Sequence, residues 1–169
     1  FERKMKDGEP LFYPTDRCQV DAYEMAYPEA QLPEYQTEHA AGADFFCAEE
    51  VTILPFGSAT IYPSGAKYKN HKPTLVHTGI KANMEEDEVL ELYNRSSNPK
   101  KLGLVLANGV GVVDADYYNN LDNDGEIMFA FFNISDEPVT LHVGDRIGQG
   151  VFKKYLRPTE GLRIKETKR

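Results

Sequence analysis

The stretch Val139-Thr140-Leu141-His142-Val143 alternates apolar and polar residues without a break. Successive side chains of a β-strand point to opposite faces, so this alternation predicts a strand with one face in a core and the other in solvent. Gly144 and Asp145 follow at once, and these residue types are typical of a turn. The stretch therefore indicates a fold built from short strands that end in tight turns.

Similar short apolar runs lie on both sides of this stretch and are separated by Gly, Pro, Asn and Asp. They predict strands at residues 51–54, 59–62, 74–77, 89–93, 104–106, 111–113, 127–132 and 150–155. Many short strands with turn signals between them predict a β-sandwich or a β-barrel. We expect polar loops at residues 62–73 and 119–125, where turn-forming residues are dense.

Helix signal is confined to one place in the chain. Ser97 and Asn98 stand before Pro99, a residue that suits the first turn of a helix, and Ser97 has the side chain of an N-terminal cap. Gly103 is expected to end this helix after a turn or two. We therefore predict an all-β fold with one short helix.

Length and charge narrow the classes of function. A chain of 169 residues forms one ordinary domain. Its net charge of −8, without a block of Lys or Arg, lacks the positive surface of a duplex-coating protein, so we expect no nucleic-acid partner. No apolar run approaches the roughly 18 residues that span a bilayer, and we expect neither a membrane segment nor a secretory leader. Cys18 and Cys47 make no disulfide framework or zinc site, which favours a cytoplasmic location.

Three segments of the chain differ in composition. Residues 1–31 are polar and rich in Tyr and Pro, without a sustained period, and we interpret them as an N-terminal extension that wraps the core. Residues 32–156 carry the predicted strands and form the domain. Residues 157–169 have mixed charge and are expected to form a tail that leaves the core.

Two polar clusters stand in the first half of the domain. AGADF at residues 41–45 places Asp44 directly before an apolar strand, and by itself this pattern is more typical of a strand-entry turn than of a site. NRSS at residues 94–97 follows a strand and precedes the short helix. Arg95, two hydroxyls and the N–H groups of a helix start would form a phosphate cradle, although a surface arginine beside a capping serine fits the same residues.

The richest cluster is NGVGVVDADY at residues 108–117, an apolar strand that ends in two acids and an aromatic ring. Asn108 offers a donor and an acceptor side by side, which suits the polar edge of a pyrimidine. Asp114 could hold and deprotonate a water, and Tyr117 could stack on a sugar. The glycines at 109 and 111 would let another molecule approach the backbone. A hairpin with an Asp-rich turn explains the same run equally well.

The fourth cluster, GDRIGQ at residues 144–149, is by itself most typical of a hairpin turn with a surface ion pair. In this order and spacing, however, the four clusters resemble the first four motifs of the trimeric deoxyuridine triphosphatases (dUTPases). The resemblance runs from about residue 32 to about residue 155, and NRSSNP and DYYNN further resemble a variant common in Gram-positive bacteria and their phages. It implies a jelly-roll β-barrel, a homotrimer with three interfacial active sites, and Mg²⁺-dependent hydrolysis of dUTP to dUMP and pyrophosphate.

The resemblance also implies a role for each matching residue. Asp114 takes the position of the carboxylate that activates water, and Asp44 and Gln149 take those of polar groups around the attacking water and the waters of Mg²⁺. No protein side chain is expected to ligate the metal directly, since Mg²⁺ is usually held through substrate phosphates and waters. The residues that match substrate-binding positions are Arg95, Ser96, Ser97, Asn108, Val112, Val113, Tyr117 and Met128.

Three features depart from the family pattern. Ser97 stands where glycine is usual, and residues 118–124 enlarge the turn after Tyr117. The family's fifth motif, a glycine-rich C-terminal segment with a Phe that covers the uracil, does not occur up to residue 169. We expect that motif to follow as a mobile tail.

Two other functions fit the same fold. A dCTP deaminase would carry a catalytic glutamate three residues before Asn133, but that position holds Ala130, which disfavours deamination. A trimeric, phage-type module that acts on a regulatory protein partner is the alternative outside catalysis. Residues 118–124 and the N-terminal extension would be its contact sites.

Overall fold

The computed structural model describes residues 19–22, 27–61, 63–65 and 67–161. The strands in these ranges are β1 Gln19–Ala22, β2 Ala43–Phe46, β3 Val51–Ile53, β4 Ala59–Ile61, β5 Lys67–Lys69, β6 Thr74–His77, β7 Ile80–Asn83, β8 Glu88–Asn94, β9 Leu104–Leu106, β10 Gly111–Asp114, β11 Met128–Asn133, β12 Val139–Leu141 and β13 Arg146–Lys154. The helical elements within the same ranges are a π-turn at Asn98–Leu102 and a 3-10 turn at Ala115–Tyr117. The regular structure is therefore almost entirely β.

A four-stranded antiparallel sheet in the order β10-β8-β13-β2 forms one side of the fold. β8 pairs along its whole length with β13, from Asn94 opposite Gly148 to Glu88 opposite Lys154. Leu90 of β8 points into the core, so its neighbour Glu91 points to the opposite side of the sheet. We call that side the outer face, and Asp44, Asp114 and Gln149 lie on it.

A three-stranded antiparallel sheet in the order β6-β11-β9 contributes the other side of the core. β11 alternates strictly, with Phe129, Phe131 and Asn133 buried. The Phe129 ring lies against Phe45 of β2, and their ring centroids are 5.7 Å apart. A Cβ atom on Gly148 would come within 1.9 Å of the Phe129 ring, so only glycine lets β13 pass beneath it.

Within the described residues there are also three two-stranded sheets, formed by β12 with β3, β4 with β5, and β1 with β7. β12 lies where the alternating stretch predicts a strand, with Leu141 buried and Thr140 exposed, but it ends two residues earlier than expected. The backbone N–H of His142 donates to the Asp145 carboxylate at 2.8 Å. This side-chain contact folds residues 142–145 into a turn.

Several boundaries differ from the prediction. The loop expected at residues 62–73 contains β5, which forms a hairpin with β4. β7 has no counterpart among the predicted strands, and β13 begins at Arg146 instead of at residue 150. β5 and β7 are three and four residues long and contain lysines, so a search for apolar runs does not find them.

The short helix lies where the sequence predicts it, but its predicted cap is wrong. The π-turn ends at Gly103, whose φ of 64° is the left-handed conformation typical of a helix C-terminus. Ser97 has φ and ψ angles of −76° and −28°, and its side chain makes no capping hydrogen bond. A capping residue needs an extended backbone to reach the first N–H groups, and Ser97 is already helical.

The predicted N-terminal extension contributes β1, which pairs antiparallel with β7 from Gln19 opposite Asn83 to Ala22 opposite Ile80. Residues 1–18 and 162–169, which hold most of that extension and most of the predicted tail, lie outside the described residues. In the part of the chain that the structure describes, neither helical turn has the length or the apolar character needed to cross a bilayer.

Candidate active site

Asp44 lies within β2, not in a turn before it, and only 2% of its surface is exposed. Its Oδ1 accepts a hydrogen bond from Gln149 Nε2 at 3.1 Å and lies 3.9 Å from Arg95 Nε. Its Oδ2 lies 3.3 Å from Arg146 Nη1. A carboxylate this deeply buried is tolerated only when it is paired, and two guanidinium groups compensate its charge. These four residues, called here the Asp44 cluster, unite the first, second and fourth sequence clusters.

A β-bulge in β13 explains how Arg146 and Gln149 both reach Asp44. Residues three apart in a regular strand point to opposite faces of the sheet. Here the pairing with β2 skips one residue, so that Arg146 lies opposite Phe46 while Gln149 lies opposite Asp44. Because Phe46 and Asp44 are two apart on their strand, the extra residue brings both β13 side chains to the same face.

Arg95 follows the last residue of β8 and is held from a second side. Its Nη1 donates to the backbone carbonyl of Arg146 at 2.9 Å. Asn98, which is 2% exposed, donates at 2.8 Å to the carbonyl of the bulged residue, so the π-turn is tied to the bulge. Ser96 is exposed and Ser97 is half-buried between these two anchors. A fixed arginine beside two hydroxyl groups is a suitable contact for phosphate oxygens.

The third sequence cluster forms the β9–β10 connection and β10 itself. Asn108, Val112 and Asp114 are all exposed. Val112 is 63% exposed, whereas Val113 is 7% exposed and packs in the core. Of these two predicted substrate contacts, Val112 can therefore offer its side chain, and Val113 can offer only its backbone.

The two glycines of this cluster serve different purposes. Gly109 has a φ of 70° and no atom within 4 Å of an added Cβ, so its surroundings are open, as expected for a place that another molecule approaches. Gly111 is buried, and a Cβ there would lie 2.9 Å from the Cβ of Leu92. The expectation that Gly111 admits a ligand is wrong, because its missing side chain makes room for β8.

Tyr117 and Met128 follow β10 along the chain. Tyr117 is half-buried on the 3-10 turn after β10, and its hydroxyl lies 3.3 Å from the carbonyl oxygen of Glu126. Met128, two residues after Glu126, is half-buried at the start of β11. We call Asn108, Val112, Asp114, Tyr117 and Met128 the hairpin cluster.

Asp114 and Gln149 lie on the same outer face but are far apart within one chain. Asp114 pairs with Val89, and Gln149 pairs with Tyr93, four residues further along β8. Four residues along a strand span about 13 Å, and two strand spacings add about 10 Å at right angles. Their backbone positions are thus about 16 Å apart. This distance is too great for both side chains to contact one water molecule or one phosphorus atom.

Glu91, Tyr93 and Lys153 form a hydrogen-bonded group on the outer face, in the region between Asp114 and Gln149. Lys153 Nζ donates to Glu91 and, at 2.9 Å, to the Tyr93 hydroxyl, which itself donates to Glu91. The hydrogen bond from Lys153, followed by that from Tyr93, lowers the pKa of Glu91. The bond to Glu91, followed by that to Tyr93, raises the pKa of Lys153. Both charges therefore persist at neutral pH.

Sequence reasoning left two structural residues of the site without a role. From the sequence, Arg146 is expected only to form an ion pair in a turn, because no sequence pattern indicates the bulge that turns it toward Asp44. Asn98 was visible only as a residue before a proline, although its buried amide links the π-turn to β13. At the position of the deaminase glutamate, Ala130 is half-buried in β11, and it carries no ionisable group.

Comparisons with known proteins agree on one family. The dUTPase family model matches residues 28–169. Over 125 residues the chain is 45% identical to the deoxyuridine 5'-triphosphate nucleotidohydrolase of Lactococcus lactis subsp. lactis, and the alignment covers 74% of this chain and 73% of that relative. The protein of the same name from Wolinella succinogenes is 34% identical over 128 residues, covering 76% and 72% of the two chains.

Solved structures support the same assignment. The crystal structure of dUTPase from Streptococcus mutans aligns with a TM-score of 0.66 and 44% identity, and the alignment covers 78% of this chain and 91% of that chain. The dUTPase of phage phi11 of S. aureus aligns with a TM-score of 0.66 and 20% identity, and the alignment covers 90% of this chain and 98% of that chain. At this identity the match supports the fold alone. The predicted all-β jelly-roll fold is thereby confirmed. With its sequence motifs, its fold and these relatives in agreement, the chain belongs to the dUTPase family.

Proposed function

We propose that this protein hydrolyses dUTP to dUMP and pyrophosphate, with water attacking the α-phosphorus and Asp114 acting as the base. The observation that carries the proposal is the chemical composition of the two clusters. One presents fixed guanidinium and hydroxyl groups, and the other presents an exposed carboxylate, an exposed amide and a half-buried aromatic ring. The first suits a phosphate chain, and the second suits a nucleoside and a water to be deprotonated.

The Asp44 cluster is proposed to bind the phosphates. Arg95, with Ser96 and Ser97 beside it, would contact phosphate oxygens, and Gln149 would face the attacking water. Asp44 would act mainly by holding these groups, because its two oxygens already contact Gln149, Arg95 and Arg146. Such prior organisation is effective in catalysis, since the charges need not reorient when the transition state forms.

The hairpin cluster is proposed to select the nucleoside. Asn108 would read the polar edge of uracil, and Met128 would border the base. Cytosine would reverse one donor and one acceptor and leave buried groups unpaired, which costs more than a lost apolar contact. The ring of Tyr117 would pack on deoxyribose and leave no room for a 2′-hydroxyl. Val112 and the backbone of Val113 would line the approach to the base.

We further propose that the active sites form at the interfaces of a homotrimer. Asp114 and Gln149 are about 16 Å apart in one chain, yet the proposed mechanism needs both beside one phosphorus atom. A neighbouring copy that supplies one of the two clusters removes this conflict.

The residues present fit a Mg²⁺ ion held by the substrate, with Asp44 and Gln149 near its water shell. Asp44 is already engaged by Arg146 and Gln149, which fits a place near the water shell of the ion and not a direct bond to it. A bound Mg²⁺ would supply positive charge to offset the negative charge of the phosphates. A chain with a net charge of −8 needs such an offset, because its overall field does not attract an anionic substrate.

The test is a pyrophosphate-release assay with dUTP, dCTP, dTTP and UTP, each with and without Mg²⁺. We expect pyrophosphate and dUMP from dUTP in the presence of Mg²⁺, and little product from the other three nucleotides. Conversion of dCTP to dUTP would instead support the deaminase alternative. Absence of pyrophosphate release from dUTP under every condition would contradict the proposal.

A regulatory protein partner is a second candidate role, favoured by one observation. Leu121, at the tip of the enlarged turn after Tyr117, is 91% exposed. A pull-down with wild-type protein and with Leu121→Asp tests it. A partner lost on this substitution, with dUTP hydrolysis unchanged, would support the role. A partner retained by the variant would contradict a contact at this tip.

A further inference from the structure

Residues 118–125, called here the 118–125 loop, are folded onto Tyr117 by polar contacts. The Oδ1 of Asn120 accepts the backbone N–H groups of Asp122 at 2.9 Å and Asn123 at 3.1 Å. The Nδ2 of Asn120 donates to the carbonyl of Tyr117 at 2.8 Å. Gly125 has a φ of 85°, and an added Cβ would lie 2.8 Å from the same carbonyl. The loop therefore closes directly against the backbone of Tyr117.

Lys81 of β7 holds the loop from the other side. Its Nζ donates to Asn119 Oδ1 at 2.6 Å and to Asp124 Oδ2 at 2.9 Å. The same ammonium group lies 4.9 Å from the centroid of the Tyr118 ring. The side chain of Lys81 is only 14% exposed, so these contacts form in partly desolvated surroundings. The 118–125 loop is thus attached to the sheet structure at both of its ends.

Asn123 is the loop residue that reaches the Tyr117 hydroxyl. Its Nδ2 donates to Tyr117 Oη at 2.7 Å and to the carbonyl of Glu126 at 3.2 Å. The Tyr117 hydroxyl donates in turn to the carbonyl of Glu126 at 3.3 Å. Its donor and one of its acceptor positions are therefore occupied, and both contacts hold the far end of the ring. The Oδ1 of Asn123 accepts from Asn120 and from the backbone of Gly125.

Glu126, the shared acceptor in this network, is itself fixed. Its side chain is 9% exposed, and its Oε1 accepts the backbone N–H of Gly79 at 3.1 Å. Its Oε2 lies 3.0 Å from Nδ1 of His77 on β6. Glu126 cannot shift without breaking these contacts. They therefore fix its carbonyl, and with it the Tyr117 hydroxyl that is hydrogen-bonded to this carbonyl.

We propose that Asn123 is a positioning residue for the selection of deoxyribose. By holding the Tyr117 hydroxyl, it keeps the ring from tilting away from the sugar, and so maintains the exclusion of a 2′-hydroxyl. The inference rests on the proposed contact between Tyr117 and the sugar. It gives the 118–125 loop a function within the chain's own active site, through a hydrogen bond between two residues that are six apart in sequence.

The experiment compares kcat/KM for dUTP with kcat/KM for UTP in five variants. Asn123→Asp keeps an acceptor for Asn120 and Gly125, so the loop stays closed. It replaces the amide donor with a carboxylate oxygen, however. The Tyr117 hydroxyl can then donate its single proton either to this oxygen or to the Glu126 carbonyl, so one of the two hydrogen bonds at the hydroxyl is lost. Loss of one such hydrogen bond predicts a decrease of about fivefold in the dUTP-to-UTP ratio.

Tyr117→Phe and the double variant separate positioning from a general structural role. Tyr117→Phe removes the hydroxyl and is expected to lower the ratio by a similar factor. In that background Asn123→Asp should change the ratio no further, because its target is gone. A further decrease in the double variant would show a route that does not pass through the hydroxyl, and would overturn the proposal.

Leu121→Asp is the matched control, because it adds the same negative charge to the same loop at a fully exposed position. We expect it to leave the ratio unchanged; an equal decrease in this control would overturn the proposal in favour of a charge effect. Tyr117→Ala reports on the sugar contact separately. A lower ratio in Tyr117→Ala with no change in Asn123→Asp would overturn the role of Asn123 alone. Unchanged ratios in both would overturn the sugar contact as well.

Discussion

The Asp44 cluster and the hairpin cluster are organised in opposite ways. Asp44 is 2% exposed, and its partners lie on β13 and directly after β8, the two central strands of the four-stranded sheet. Asn108, Val112 and Asp114 are exposed on the β9–β10 connection and on β10, which is an edge strand of that sheet. One chain can bury and pair the charges of the first cluster by itself. The second cluster, in our proposal, becomes enclosed only when another subunit covers it.

The largest expected effect comes from removing the proposed base in the exposed cluster. Asp114→Asn keeps the shape of the side chain but takes away its basicity, so kcat for dUTP should fall by about 10³-fold. Binding of a non-hydrolysable dUTP analogue, measured by calorimetry, should remain. A kcat close to that of the wild-type protein would show that another group accepts the proton from water.

The next effect concerns stability and should distinguish the two clusters. Asp44→Asn leaves two guanidinium groups without their buried counter-charge, which should lower the free energy of unfolding by about 3 kcal/mol. Asp114→Asn, the matched change at an exposed site, should lower it by less than about 1 kcal/mol. Urea denaturation of both variants measures the difference. Equal losses would contradict the contrast between a buried and an exposed cluster.

A smaller effect is expected at high pH, near the buried cluster. Cys47 directly follows β2, and burial raises the pKa of its thiol to about 11 from 9.0. The folded protein therefore keeps this proton over a range in which the unfolded chain loses it. The Cys47 thiol does not change the free energy of unfolding below about pH 9, and it lowers this free energy as the pH rises from 9 towards 11.

Cys47→Ser tests this dependence, because serine does not titrate in this range and keeps a hydroxyl donor for the Glu49 carbonyl. The free energy of unfolding is measured at several pH values between 8 and 11, the range in which the raised pKa of the thiol has its effect. With rising pH it should fall less steeply in the variant than in the wild-type protein. Identical slopes for the two proteins would mean that the Cys47 thiolate is as well solvated in the fold as in the unfolded chain.

Sequence patterns predicted those parts of the fold that depend on alternation within one strand. β11 and β12 lie where apolar residues alternate or cluster, because burial of every second side chain leaves a local trace in sequence. β5 leaves no such trace, and in β7 the alternation of buried Ile80 and Ala82 with polar residues covers only four positions. They are short and carry lysines, and they exist because β4 and β1 pair with them.

The resemblance to the dUTPase motifs predicted Asp44, Arg95 and Gln149 as site residues, and the structure brings these three together. It could not predict the part of Arg146, which reaches Asp44 through a bulge formed by pairing with a strand about a hundred residues away. The predicted cap at Ser97 failed for a related reason. The local rule ignores that the next residue, Asn98, finds partners in β8 and β13, which set the geometry of the turn.

The most direct test of the divided active site is a complementation experiment with two inactive variants, Arg95→Ala and Asp114→Asn. Each is purified, and the two are then unfolded together and refolded as a mixture. If every site takes its two clusters from different subunits, about one quarter of the sites in random trimers are intact, and about that fraction of wild-type dUTP hydrolysis should return. Activity in the mixture no higher than that of either variant by itself would contradict sites shared between chains.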